Sequence, residues 1–178
     1  MMSEAEFLAG ITGRSDDLSR VGAALTRTGQ PFCLIGGLAV NHYVEPVVTL
    51  DADFAITASE GVDAVLSQAG FIVETHPHSI NALLPGSRLR IQITVNSRYG
   101  AFPARAIPGI VFGVPMPVAS LADLVQGQLW ASTDSSRRGS NRAKDEADLL
   151  RICESHPDAL TLIPSGLFSR IDQLRNPA

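Results

Sequence analysis

Asp51 and Asp53 stand one residue apart inside the apolar run Leu50-Asp51-Ala52-Asp53-Phe54-Ala55-Ile56. The run reads as a strand. Side chains alternate along a strand, so Ala52, Phe54 and Ile56 share one face and Asp51, Asp53, Ala55 and Thr57 share the other. Aspartate is a poor strand former, and two carboxylates on one face repel each other. A chain that folds around this run must pack one face of the strand and leave the other solvated or filled by a cation. Two carboxylates on an open face make a hard, oxygen-rich site, suited to Mg²⁺ bridging to substrate phosphates.

The segment upstream supplies a complement. Phe32 to Ile35 reads as a short buried strand that ends at Gly36-Gly37. Leu38, Ala39, His42 and Tyr43 then follow helical spacing, so the glycine pair is a strand-to-helix turn. Small residues at such a turn let the first helical N–H groups approach a phosphate closely. Glu45-Pro46 forces an extended connection, and Thr49 precedes the acids. Each feature alone is weak: an acid pair also keeps an edge strand soluble. Gly pair, helix, Thr and Asp-x-Asp in that order are more specific.

Helices are expected over 15–29, from Thr57 with Glu60 as a capping box to about Gln68, from Ser120 with Asp123 as a second capping box through Trp130, over 141–155, and after Pro164. Strands are expected at 71–76, 79–85 and 88–95, the last two joined through Pro85-Gly86-Ser87. The proline-rich stretch 96–118 and the polar segment 132–141 read as loops. The order predicts an α/β (α+β) fold, with a mixed central sheet, flanking helices and a helical C-terminal part. It reads as a single domain over 1–178, with a core at about 30–118 and the helical part at about 119–178.

Composition narrows the partners. The 178 residues carry a net charge of −4 and 45% hydrophobic residues. This is a globular balance, without the broad positive field that grips nucleic acid. Cys33 and Cys153 are far apart and show no zinc spacing with the histidines. No apolar stretch reaches membrane-spanning length, and "MMSEAEFLAG" lacks a signal-peptide pattern. A soluble, cytoplasmic protein with no membrane partner is expected.

The stretch Ile35-Gly36-Gly37, thirteen spacer residues, then Asp51-Ala52-Asp53-Phe54 resembles the signature of the nucleotidyltransferase superfamily, the polymerase-beta-like fold. "GGLAV", "T-x-D-x-D" and a later helix with Arg142, Lys144, Asp145 and Asp148 are most similar to the abortive-infection toxin-like branch and its uncharacterised bacterial relatives. The resemblance spans roughly residues 30–152. It implies a toxin–antitoxin-like transferase that moves a nucleoside monophosphate from an NTP to an acceptor and releases pyrophosphate. Asp51 and Asp53 would be the catalytic metal ligands. Gly36 and Gly37, with Thr49 and Lys144, would bind the nucleotide. For Lys144 the sequence leaves an ordinary i,i+4 pair with Asp148 equally open.

The superfamily pattern includes a third carboxylate on a neighbouring strand. In 88–95, Leu89, Ile91, Ile93 and Val95 alternate with Arg88, Arg90, Gln92 and Thr94, and Gln92 takes that slot. An amide offers a neutral carbonyl but no carboxylate base. One Mg²⁺ rather than two is therefore expected. Two readings stay open: an impaired transferase, or a degenerate fold that binds nucleotide or a protein partner. Glu45 and Glu74 are candidate substitute acids. The acceptor (tRNA, a protein or a small molecule) and the oligomeric state are not legible. His76-Pro77-His78 reads as a surface turn and His42 as a partly buried helix residue. Arg137 and Arg138 lie in a solvated loop that could meet a phosphate or an acceptor.

Overall fold

The computed structural model describes residues 10–175. Its centre is a seven-stranded mixed sheet in the order β3-β4-β5-β2-β1-β7-β6. The strands are β1 (Phe32–Ile35), β2 (Asp51–Ile56), β3 (Ile72–His76), β4 (Ser79–Leu83), β5 (Arg90–Thr94), β6 (Ile107–Val111) and β7 (Val114–Val118). The helices are α1 (Asp17–Arg27), α2 (Gly36–Tyr43), α3 (Val62–Gln68), α4 (Leu121–Thr133), α5 (Gly139–Ser155) and α6 (Ser165–Arg175). The mixed sheet with flanking helices is the predicted α/β class.

Strand parity decides the centre. Ala52, Phe54, Ile91 and Ile93 are buried and join one core with Leu18, Val21 and Leu25 of α1 and Val62 and Leu66 of α3. β2 and β5 run parallel with Asp53 opposite Gln92, so the two share the other face. β1 pairs antiparallel to β2 with Ile35 opposite Asp53, which brings the glycine turn alongside the acid pair.

Two expectations fail locally. The Thr57–Glu60 capping box does not form: the N-cap is Gly61 at φ 72°, and the helix begins at Val62. Its N-cap has no side-chain hydrogen bond, so the backbone turn of a left-handed glycine takes the place of side-chain capping. The stretch 96–118 is also not only loop, because it holds the β6–β7 hairpin. Phe112 and Gly113 have φ 48° and 78°, the positive pair that a two-residue hairpin turn requires. Pro108 faces Pro117 and Ile110 faces Pro115, two positions apart. They fall in the alternate pairs that exchange no backbone hydrogen bonds. β7 meets β1 only at Leu34 and Val118, so Pro115 and Pro117 need not donate across that side either.

The Ser120 cap does form: its Oγ accepts from the backbone N–H of Asp123 at 3.3 Å. α4 and α5 then pack as a helical pair against α2. Arg151 ties them down. It donates to Asp148 at 2.6 Å, to Asn41 Oδ1 at 2.8 Å and to the Glu45 carbonyl at 2.6 Å.

Candidate active site

A cleft of about 870 Å³ opens between the acid face of the sheet and the α4–α5 pair. Asp51, Asp53, Gly36, Gly37, Gln92 and Lys144 all line it. Strand parity and the glycine turn therefore converge as the sequence suggests. Thr49 does not line the cleft. Its hydroxyl accepts from the backbone N–H of Asp51 at 3.2 Å and shapes the entry to β2.

Gly36 shows why the turn is glycine. Its φ is 68°, and a Cβ there would collide with Asp53 Oδ2. The backbone conformation and the space beside the carboxylate both reject a side chain. A Cβ on Gly37 would lie 3.4 Å from Asp148 Oδ2 and 3.6 Å from Lys144 Nζ. The ammonium of Lys144 thus sits directly beside the turn. Asp148 makes its hydrogen bonds to Arg151 and, at 3.3 Å, to Gln128, and feels the Lys144 charge without a direct ion pair.

The two acids differ. Arg90 donates to Asp51 Oδ1 at 2.8 Å and partly neutralises it. Asp53 is half-buried, and desolvation pushes its pKa up to about 6. The charge of Asp51 adds to that rise, and Lys144 and Arg137 oppose it. A carboxylate held partly out of water beside a second one is a site that gains from a cation. Among the described residues no three His, Cys, Asp or Glu side chains converge as a metal cage. Two carboxylates fit one hard cation that takes its other oxygens from phosphate and water.

Neither substitute acid fills the third position. Glu45 is exposed and does not line the cleft. Glu74 does, but it stands three strands from Asp53, about 14 Å at the usual strand spacing. Another acid enters from α5. Asp145 lines the cleft, is nearly buried and is paired with Arg137 at 2.9 Å. Burial holds its pKa above the ordinary carboxylate range. Sequence reasoning gave Asp145 no role. Helical periodicity places it on the same turn as Lys144, but only the packing of α5 turns it inward. Sequence reasoning also missed Arg98, Tyr99 and Phe102 on the cleft wall. Tyr99 and Phe102 pack on Trp130, and Arg98 lies over Tyr99 and Trp130. His42 packs edge-on to Tyr43 outside the cleft, and His76 pairs with Glu74 at 3.5 Å, as helix and turn residues do.

No protein-family model and no curated protein matches the chain. Solved structures do. ANT(2")-Ia, in complex with adenylyl-2"-tobramycin, superposes at TM-score 0.56 and 15% identity, over 89% of this chain and 97% of that one. An antigenic nucleotidyltransferase-like protein from Paracoccidioides brasiliensis matches at TM-score 0.52 and 12% identity, over 88% and 89%. The lincosamide antibiotic adenylyltransferase LnuA, lincomycin-bound, matches at TM-score 0.50 and 16% identity, over 74% and 93%. No helix among the described residues is long and apolar enough to cross a membrane. The architecture of this chain is the nucleotidyltransferase fold.

Proposed function

We propose that the protein transfers a nucleoside monophosphate from an NTP to an acceptor hydroxyl. The observation that carries this is the contact of Gly36 with Asp53. A turn that excludes any side chain faces the partly buried carboxylate of Asp53, with Asp51 on the same strand face and the Lys144 ammonium beside the turn, in an open cleft. Adenylyl transfer by the similarly folded ANT(2")-Ia and LnuA supports the same class. The likeness to the abortive-infection branch rests on the sequence motifs and belongs to this proposal.

Asp51 and Asp53 would hold one Mg²⁺, which supplies charge neutralisation at the phosphates. The backbone N–H groups at the start of α2 and the Lys144 ammonium seat the triphosphate. Arg90 restrains Asp51, and Arg137 holds Asp145 at the cleft wall. In the transfer, the acceptor oxygen bonds to the α-phosphorus, the bond to the β-phosphate breaks, and pyrophosphate leaves. The hydroxyl proton passes to water, because Gln92 is no base.

The reading is tested by titrating each NTP into the protein with and without Mg²⁺. Saturable, Mg²⁺-dependent binding that collapses in Asp51→Asn with Asp53→Asn supports it. No Mg²⁺-dependent binding sinks it. The second reading, a binding protein without turnover, is favoured by one observation: an amide stands opposite Asp53 where a carboxylate base would act. Labelled NTP that binds but yields no transfer to tRNA, protein or small molecules in a lysate would favour it.

A further inference from the structure

We infer that the base of the nucleotide seats at Arg98, on the α4 side of the cleft, and that Arg98 selects a base whose edge presents hydrogen-bond acceptors, guanine or uracil, over adenine and cytosine. This rests on the nucleotidyl-transfer reading above and names the nucleotide it uses.

Arg98 is built into a fixed position. The chain leaves β5 through the short turn Ser97–Tyr99, and the Asn96 side chain caps that turn by accepting from the Arg98 backbone N–H at 3.1 Å. Phe102 and Trp130 stack with ring centroids 5.8 Å apart, and Tyr99 stands edge-on to both. A Cβ on Gly127 of α4 would lie 3.6 Å from Tyr99 and 3.7 Å from Phe102, so the rings bear on that helix. The Arg98 guanidinium lies over Tyr99 and Trp130, 5.2 and 5.5 Å from their centroids. Of the four side chains it is the exposed one.

Its charge is not spent on an acid. Arg90 is paired with Asp51 and Arg137 with Asp145, whereas Arg98 makes no ion pair among the described residues. Asp134 bonds to Ser136 and feels Arg98 through space.

The site leaves this wall for the base. The groups suited to the phosphates, the Gly36-Gly37 turn and Lys144, lie on the α2–α5 side of Asp53. The acceptor must enter opposite the leaving pyrophosphate, over the open strands. Arg98, Tyr99 and Phe102 line the same cleft. Burial lifts the Tyr99 hydroxyl above its ordinary range, Arg98 and Arg137 oppose that, and the Asp53 charge adds to it. The cluster therefore stands within electrostatic reach of the acid pair. A guanidinium donates and never accepts. Guanine answers it with O6 and N7 and uracil with O4, while adenine and cytosine turn an amino donor toward it.

The test titrates GTP, UTP, ATP, CTP and inorganic tripolyphosphate into the full chain with Mg²⁺. GTP should bind about 10–100-fold more tightly than ATP, and UTP more tightly than CTP. Arg98→Ala should weaken GTP and UTP and bring the four nucleotides to near parity. Tripolyphosphate, which has no base, should bind wild type and variant alike. Arg98→Gln should invert the purine preference, because an amide matches the N6 and N7 of adenine. A structural role for Arg98 would not produce that inversion. ATP bound as tightly as GTP by wild type would overturn the inference while the nucleotide reading stands. So would a preference that survives Arg98→Ala, an unchanged purine preference in Arg98→Gln, or an Arg98→Ala loss shared equally by tripolyphosphate, the mark of a phosphate contact. Binding of none of the four nucleotides would overturn the transfer reading itself.

Discussion

The two walls of the cleft are built by different physics. The sheet wall is a matter of parity: Asp51, Asp53 and Gln92 face the opening because Ala52, Phe54, Ile91 and Ile93 are buried behind them. The helical wall is a matter of docking: Lys144 and Asp145 face the opening because Arg151 clamps α5 to Asn41 and Glu45. One wall can be redesigned residue by residue with its backbone unmoved. The other is placed as a unit by the docking of α5, which the Arg151 clamp shares with the buried Leu149, Ile152 and Cys153.

The largest effect that would sharpen this contrast lies on the sheet wall. Gln92→Asp should restore a carboxylate opposite Asp53 without changing the backbone. General-base help is typically worth about 10²–10⁴-fold in rate, so label transfer from NTP should rise within that range. Wild-type turnover that is fast and indifferent to position 92 would show that the base lies elsewhere, with Asp145 the next candidate.

Breaking the helical wall should cost stability instead. Arg151 is 18% exposed and its partner Asp148 is 5% exposed. Arg151→Ala leaves the Asp148 carboxylate buried with the Gln128 hydrogen bond and the nearby Lys144 charge, and loss of one partner of a buried pair costs about 3–5 kcal/mol. Urea unfolding should show that loss. A loss under about 1 kcal/mol, the range of an exposed pair, would mean that α5 is held by its apolar side alone.

The junction of the two walls is tested by Gly36→Ala. The positive φ alone costs about 1–2 kcal/mol for alanine, and the collision with Asp53 adds to it. About 2–3 kcal/mol is expected in total, together with loss of Mg²⁺-dependent NTP binding. Unchanged binding would separate the turn from the site.

The smallest expected effect has the opposite sign. Asp53 titrates at about 6 in the fold against an ordinary 3.8. A raised value means that its favourable contribution is complete below about 3.8 and is lost as the pH rises through 6. At pH 7.5 the ionised carboxylate therefore strains the unliganded protein. Asp53→Asn should raise stability there by about 1–2 kcal/mol, a figure discounted for the solvent that reaches this half-buried group. The gain should fade by pH 4. Thermal unfolding of both proteins across that range checks it, and an equal difference at every pH would remove desolvation as the cause.

The parts of the chain that could be read in advance share one property: their signal is local. Alternation over 51–57 and 88–95 specified which side chains face together, and the structure pairs Asp53 with Gln92 accordingly. The Ser120 cap and the glycine stop after Ile35 were legible for the same reason. The β6–β7 hairpin was not, because three prolines argue against a strand until the pairing shows that none of them has to donate. The Thr57 capping box was a sound local pattern defeated by Gly61, whose left-handed backbone starts the helix later.

The sequence by itself therefore determined the acid pair, the glycine turn, the shared face of Asp51, Asp53 and Gln92, and the mixed α/β class. Strand parity and steric limits at glycine act over a few residues and need no partner. Only the tertiary structure decided that Lys144 lies beside the turn, that Asp148 is spent on Arg151 and Gln128, and that Asp145 enters the cleft. Those facts depend on the angle at which α5 docks. That docking is set by contacts between residues more than 100 positions apart, such as Arg151 with Asn41 and Glu45, and no local pattern encodes them.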